Sequence, residues 1–152
     1  MKLVSRHWGK MHRSNPKDWS QDTLELCTSD ELEALCLLMG IPHSGSKAIK
    51  ITRLLDMASL RVELSTWGEY RDDDYLKTHE KAHELAIEIC EKYKRADLVA
   101  MAKRAKTFYS LPKRGIVIGL LQWRARCRIK GQKFNDELKR VTKVQYIFPG
   151  FA

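Results

Sequence analysis

Two groupings of side chains in this chain have types and spacings that could do chemistry. His79-Glu80-Lys81-Ala82-His83 puts two imidazoles one helical turn apart with a glutamate between them. That is a zinc-holding spacing with a base able to take a proton from bound water. The residues that follow, Glu84-Leu85-Ala86-Ile87-Glu88, offer no Gly-x-x-His continuation, and no downstream glutamate motif supplies a third ligand. The pattern therefore reads as a solvated helix face, with zinc hydrolysis the least favoured function; no enzyme activity, metal or cofactor is expected. The second grouping is cationic. Lys103, Arg104 and Lys106 close one expected helix, Lys113 and Arg114 flank Pro112 at the start of the next, and Arg124, Arg126 and Arg128 continue it, with Phe108, Tyr109 and Trp123 among them. Cations at this density beside aromatic rings form an electrostatic footprint for nucleic acid.

The distribution of charge sharpens this reading. The net charge of the 152 residues is +9, but residues 1–17 carry +5, residues 18–91 carry −9 and residues 92–152 carry +13. The basic ends suit a polyanion, and the acidic middle suits water, a protein or the basic end of another copy. No apolar run is long enough to span a bilayer, and the basic N-terminal stretch has no apolar signal core. A cytoplasmic (nucleoid) or nuclear protein without a membrane partner is expected. Cys27, Cys36, Cys90 and Cys127 are scattered without a C-x-x-C pair, as befits reduced packing cysteines.

The elements that must position these residues are helical. Thr28 and Glu31 have capping-box spacing, and Leu32, Leu35, Cys36 and Met39 share one stripe. Gly40 ends this helix, Ile41-Pro42 forces an extended step, and Ser44-Gly45-Ser46 offers caps for a second helix through Leu55. The stretch GIPHSGSKAIKITRLL resembles the signature of the SAP domain, a two-helix DNA-binding module. Leu35, Gly40-Ile41-Pro42, Ser44-Gly45, Lys47, Ile51, Arg53, Leu54 and Leu55 match it, while Lys50 stands where the family has a buried leucine and Ile49 where it has a polar residue. The resemblance implies that Ser44, Gly45, Lys47 and Arg53 contact DNA, and it associates the module with A/T-rich duplex. Amides at a helix start with Lys47 beside them are, on physical grounds too, a phosphate site.

A second unit, residues 96–128, repeats the first at a shift of 66. Leu32, Ala34, Ser44, Lys47, Leu54 and Leu55 superpose on Leu98, Ala100, Ser110, Lys113, Leu120 and Leu121, with Lys106 and Leu111 in place of Gly40 and Gly45. Such identities are what a diverged helix–loop–helix repeat retains. Upstream, an arm with Lys2, Arg6, Lys10, Arg13 and Lys17 around Trp8 could add phosphate and stacking contacts. Asn15-Pro16 should open a short helix anchored by Trp19. A long helix is expected over residues 75–94. Gly131 should stop the second unit's last helix, and Val141, Val144, Tyr146, Ile147 and Phe148 read as a short strand.

The expected protein is mainly α: tandem SAP-like helix–loop–helix units joined by a long helix, with a short extended C-terminal segment. Its regions would be a basic arm and short helix (1–27), unit 1 (28–62), a linker and long helix (63–95), a basic unit 2 (96–131) and an extension (132–152). The expected function is non-enzymatic binding of double-stranded DNA, mainly through its backbone and with low sequence specificity. Binding RNA through the same surface is one alternative. The other is an adaptor for a nucleic-acid enzyme, docking a protein through the acidic middle or the apolar C-terminus.

Overall fold

The computed structural model describes residues 3, 5–67 and 79–142. Among these residues the protein is mainly α-helical. The helices are α1 (Arg6–Met11), α2 (Gln21–Glu25), α3 (Ser29–Met39), α4 (Lys47–Leu64), α5 (His79–Lys92), α6 (Arg95–Ala105) and α7 (Lys113–Thr142), with a 3-10 turn at Pro16–Asp18. The chain divides into two compact units. Unit 1 comprises Met1–Val62 with Cys127–Ala152, and unit 2 comprises Glu63–Arg126.

Local sequence explains the ends of these helices. At α3, Thr28 Oγ1 accepts from Glu31 N (3.2 Å), and Glu31 Oε2 accepts from Thr28 N (2.9 Å). This reciprocal pair satisfies two otherwise unpaired amides. Gly40 ends α3 in the left-handed region at φ 70°, where a residue without a β-carbon is least strained. The stripe Leu32, Leu35, Cys36 and Met39 is buried as the spacing predicts. Asn15 Oδ1 caps the turn that Pro16 opens by accepting from Lys17 N.

The expected arm is instead part of the unit 1 fold. Ser5 caps α1 by accepting from Trp8 N at 3.0 Å and donates to the Glu31 carboxylate. His7 Nε2 donates to Thr23 O at 2.7 Å. Trp8 is only 2 % exposed, as is fitting for the apolar residue of a six-residue helix that packs down. Its ring is therefore core and not a stacking surface, because burying a large aromatic surface outweighs leaving it for a ligand. Trp19 is also buried.

His12 lies in this core, and burial foremost, then the charge of Arg13, pulls its pKa below 6.5. The unfolded chain then binds the proton more tightly than the folded one, so stability is full above pH 6.5 and falls as pH drops below it. Urea denaturation at pH 7.5 and pH 5 should show wild type losing more stability than His12→Gln. Burial also pushes the Cys27 thiol up to about 12 and Cys36 to about 11, which leaves these reduced cysteines as packing groups.

Gly131 does not stop the last helix, which continues through it to Thr142. The residue is a glycine for another reason. A β-carbon there would lie 2.1 Å from Leu38 O, and one on Gly40 would lie 2.0 Å from Cys127 O. The end of α3 thus meets α7 backbone to backbone inside unit 1, and both glycines are contact points. Val141, expected in a strand, belongs to this helix; Val144, Tyr146, Ile147 and Phe148 lie outside the described residues. The long helix expected from residue 75 is described as α5 from His79, and residues 75–78 lie outside as well.

The 66-residue spacing recurs in the helix boundaries. Adding 66 to the bounds of α3 gives those of α6, and adding it to the first residue of α4 gives that of α7. Lys106 ends α6 at φ 58°, and its amide donates to Ala102 O and Lys103 O as Gly40 donates to Cys36 O and Leu37 O. Lys94 N bonds Asp97 Oδ2 where Thr28 N bonds Glu31. Leu98, Met101, Val117 and Leu120 are buried like Leu32, Leu35, Ile51 and Leu54. The two segments thus share these helix bounds, helix ends and buried positions.

Candidate nucleic-acid interface

The residues expected to touch nucleic acid divide between the units, and each unit is described separately. In unit 1 the Ser44–Lys47 loop is exposed and Gly45 adopts φ 113°. Ser46 Oγ accepts from Ile49 N at 3.3 Å and so caps α4 itself. Lys47 Nζ donates to Glu25 O at 2.8 Å, covering a carbonyl at the end of α2. Arg53, half-buried, donates from Nη1 to Pro42 O at 2.7 Å and Ser44 O at 2.8 Å. Its guanidinium braces the loop from within. Arg128 is also half-buried and engaged within the protein.

Lys50 is a cation at a buried position of α4. It occupies a core position at 7 % exposure, with its stem among apolar neighbours and its Nζ donating to Ser29 Oγ at 3.3 Å. A lysine can fill a leucine's place when its ammonium has a partner at the surface end. Ile49 is exposed on the other side.

Unit 2 spends several of its cations in the same way. Lys113 Nζ donates to Cys90 O at 2.8 Å near the end of α5. Lys47 and Lys113, equivalent at the 66-residue shift, thus both neutralise the carboxyl end of the helix before their own segment, where a helix dipole favours a cation. This common task accounts for the retained lysine without any ligand. Arg124 is 7 % exposed and donates to Leu64 O at 2.7 Å. Among the residues expected on nucleic acid, it is the one whose guanidinium the structure places at low exposure against a main-chain carbonyl. Arg104 faces Glu63 Oε2 at 3.5 Å. Trp123, 8 % exposed, is core.

Lys103, Lys106, Arg114 and Arg126 remain at the surface. Lys103 Nζ lies 5.0 Å from the centroid of the Tyr109 ring, within cation–π range. Lys106 and Arg126 line an open groove of about 410 Å³ with Phe108, Leu111 and Ile118, whose floor includes Gly115 and Gly119 on α7. Phe108 is 82 % exposed and Tyr109 46 %. An aromatic ring so exposed buries almost none of its surface in its own fold. The charged residues lining this groove are both cations.

His83 of the HExxH pattern is exposed on α5, and the side chains of His79 and Glu80 lie outside the described residues. Among the described residues no three His, Cys, Asp or Glu side chains converge as metal ligands. No described helix is long and apolar enough to cross a membrane. Comparison with protein-family models, with curated proteins and with solved structures returned no match.

Sequence reasoning could not separate the capping cations from the free ones, because both are basic residues beside helix ends. The groove was missed altogether. Its signal was present as Gly115 and Gly119, one turn apart on the helix that follows the aromatic pair Phe108-Tyr109.

Proposed function

We propose that this protein binds DNA without catalysing a reaction, chiefly through phosphate contacts from Lys103, Lys106, Arg114 and Arg126 of unit 2. The observation that carries this reading is the groove that exposed Lys106 and Arg126 line together with exposed Phe108, with Lys103 over the ring of the neighbouring Tyr109. Cations on a flexible stem neutralise phosphates and release counterions, and they do so whatever the base sequence. Sequence preference is accordingly modest. The exposed Ser44–Lys47 loop of unit 1 is a secondary contact, consistent with the SAP resemblance, although Lys47 and Arg53 already hold main-chain carbonyls.

The test is an electrophoretic shift with duplex DNA and with structured RNA over a salt series. Reversing Lys103, Lys106 and Arg126 to glutamate should weaken binding at least tenfold more than reversing Lys10, Arg13 and Lys17, an equal change of charge elsewhere. The slope of log affinity against log salt should flatten by about 2.7 if three phosphate contacts are lost. Equal losses in the two triples would reduce the effect to bulk charge. Tighter binding of RNA than of duplex DNA would reassign the ligand.

A further inference from the structure

The groove beneath Phe108 is more than duplex binding requires. A continuous duplex presents phosphates outward and keeps its base faces stacked, so it can use Lys106 and Arg126 without entering an apolar cleft. Yet this cleft is open, apolar along Phe108, Leu111 and Ile118, and lined also by Gly119 and by Gly115, over which the Leu111 side chain lies. Its volume of about 410 Å³ falls within the roughly 300–1,000 Å³ range of small-molecule clefts. A β-carbon at Gly119 would meet nothing within 4 Å, so the space above that residue is vacant of protein. Phe108 stands at its wall with 82 % of its surface exposed.

We propose that this groove receives one unpaired nucleobase, so that the protein prefers DNA carrying a single-stranded end or gap over continuous duplex. The inference rests on the DNA-binding reading above and deepens it. Every base offers a π-face, and stacking on an exposed aromatic ring is tolerant of base identity. Lys106 and Arg126 supply positive charge on the groove itself for the phosphates flanking the base. Charge complementarity favours a nucleotide over an apolar helix of a partner protein, since the lining offers cations and no carboxylate.

The test compares a blunt duplex with the same duplex carrying a short oligothymidine overhang, using the full chain. Wild type should bind the overhang roughly tenfold more tightly, the size of one base–aromatic stack. Gly119→Leu fills the vacant space and Phe108→Ala removes the ring; each should bring the affinities for the overhang and the blunt duplex together without lowering the thermal melt. A 2-aminopurine placed in the overhang should be quenched on binding wild type and less so on binding Phe108→Ala. Equal wild-type affinity for the two DNAs, or a preference that survives both variants, overturns the inference and leaves the DNA-binding reading intact. Loss of all DNA binding by wild type overturns both. A concentration-dependent dimer in sedimentation that Gly119→Leu disperses, without any overhang preference, would assign the groove to a second copy and also overturn it.

Discussion

Gly131→Ala should destabilise the protein by about 2–3 kcal/mol, the scale of an overpacked core, although glycine to alanine inside a helix ordinarily stabilises by about 0.5–1 kcal/mol. The reversal of sign follows from the close approach of α3 to α7. The new methyl would sit 2.1 Å from Leu38 O, and the obstacle is backbone, which cannot swing aside as a side-chain tip can. The end of α3 or the whole of α7 must shift, disturbing the packing of Leu35, Leu38 and Met39. Gly119→Ala is the internal control on the same helix. Its β-carbon meets nothing, so it should raise stability by up to about 1 kcal/mol, the propensity difference alone. Urea denaturation of the two variants reads both values, and destabilisation of equal size at both glycines would refute the contact account.

Arg124→Met and Arg126→Met should separate folding from binding at two cations of the same helix. Arg124 is buried with its guanidinium on Leu64 O. Removing it deprives a carbonyl at the end of α4 of a charged donor, and such a bond is worth about 1.5–3 kcal/mol. Methionine replaces much of the stem's volume, so the loss should be about 2 kcal/mol, mostly from that bond. Arg126 is exposed and lines the groove. Its replacement should change stability by less than about 0.5 kcal/mol, as expected at a surface position, while weakening DNA binding severalfold. Denaturation midpoints and shift assays on the two purified variants decide the matter. Loss of affinity at Arg124→Met without loss of stability would place its guanidinium on the ligand after all.

These two arginines also show where sequence reasoning reaches its limit. The caps and core stripe of α3 were legible because each depends on neighbours within a few residues, Thr28 with Glu31 and Gly40 at its left-handed end, whereas the helix expected from Asn15-Pro16 to about Leu26 is the short turn Pro16–Asp18 followed by α2, which Ser20 caps anew. The 66-residue spacing read from the sequence recurs in the bounds of α3 and α6 and in the first residues of α4 and α7. What a cation does depends on which carbonyl lies within reach, and that is fixed by tertiary packing. Arg61 on Met39 O, Lys47 on Glu25 O, Lys113 on Cys90 O and Arg124 on Leu64 O each join residues 22 or more apart. A residue count assigns Lys47, Lys113 and Arg124 to a polyanion, and in the fold each of them, like Arg61, holds a carbonyl at or near the end of a helix. Gly131 is the same lesson in the backbone: beside basic residues it resembles a helix terminator, and only the passing of α3 reveals it as a point of contact.

Unit 1 is assembled from two stretches of chain separated by all of unit 2. During synthesis α3 emerges long before the part of α7 that meets Gly40, and more than sixty further residues are made between them. Unit 2 is continuous and can close on its own. The backbone contact of Gly40 with Cys127 therefore forms only after every residue of unit 2 has been made.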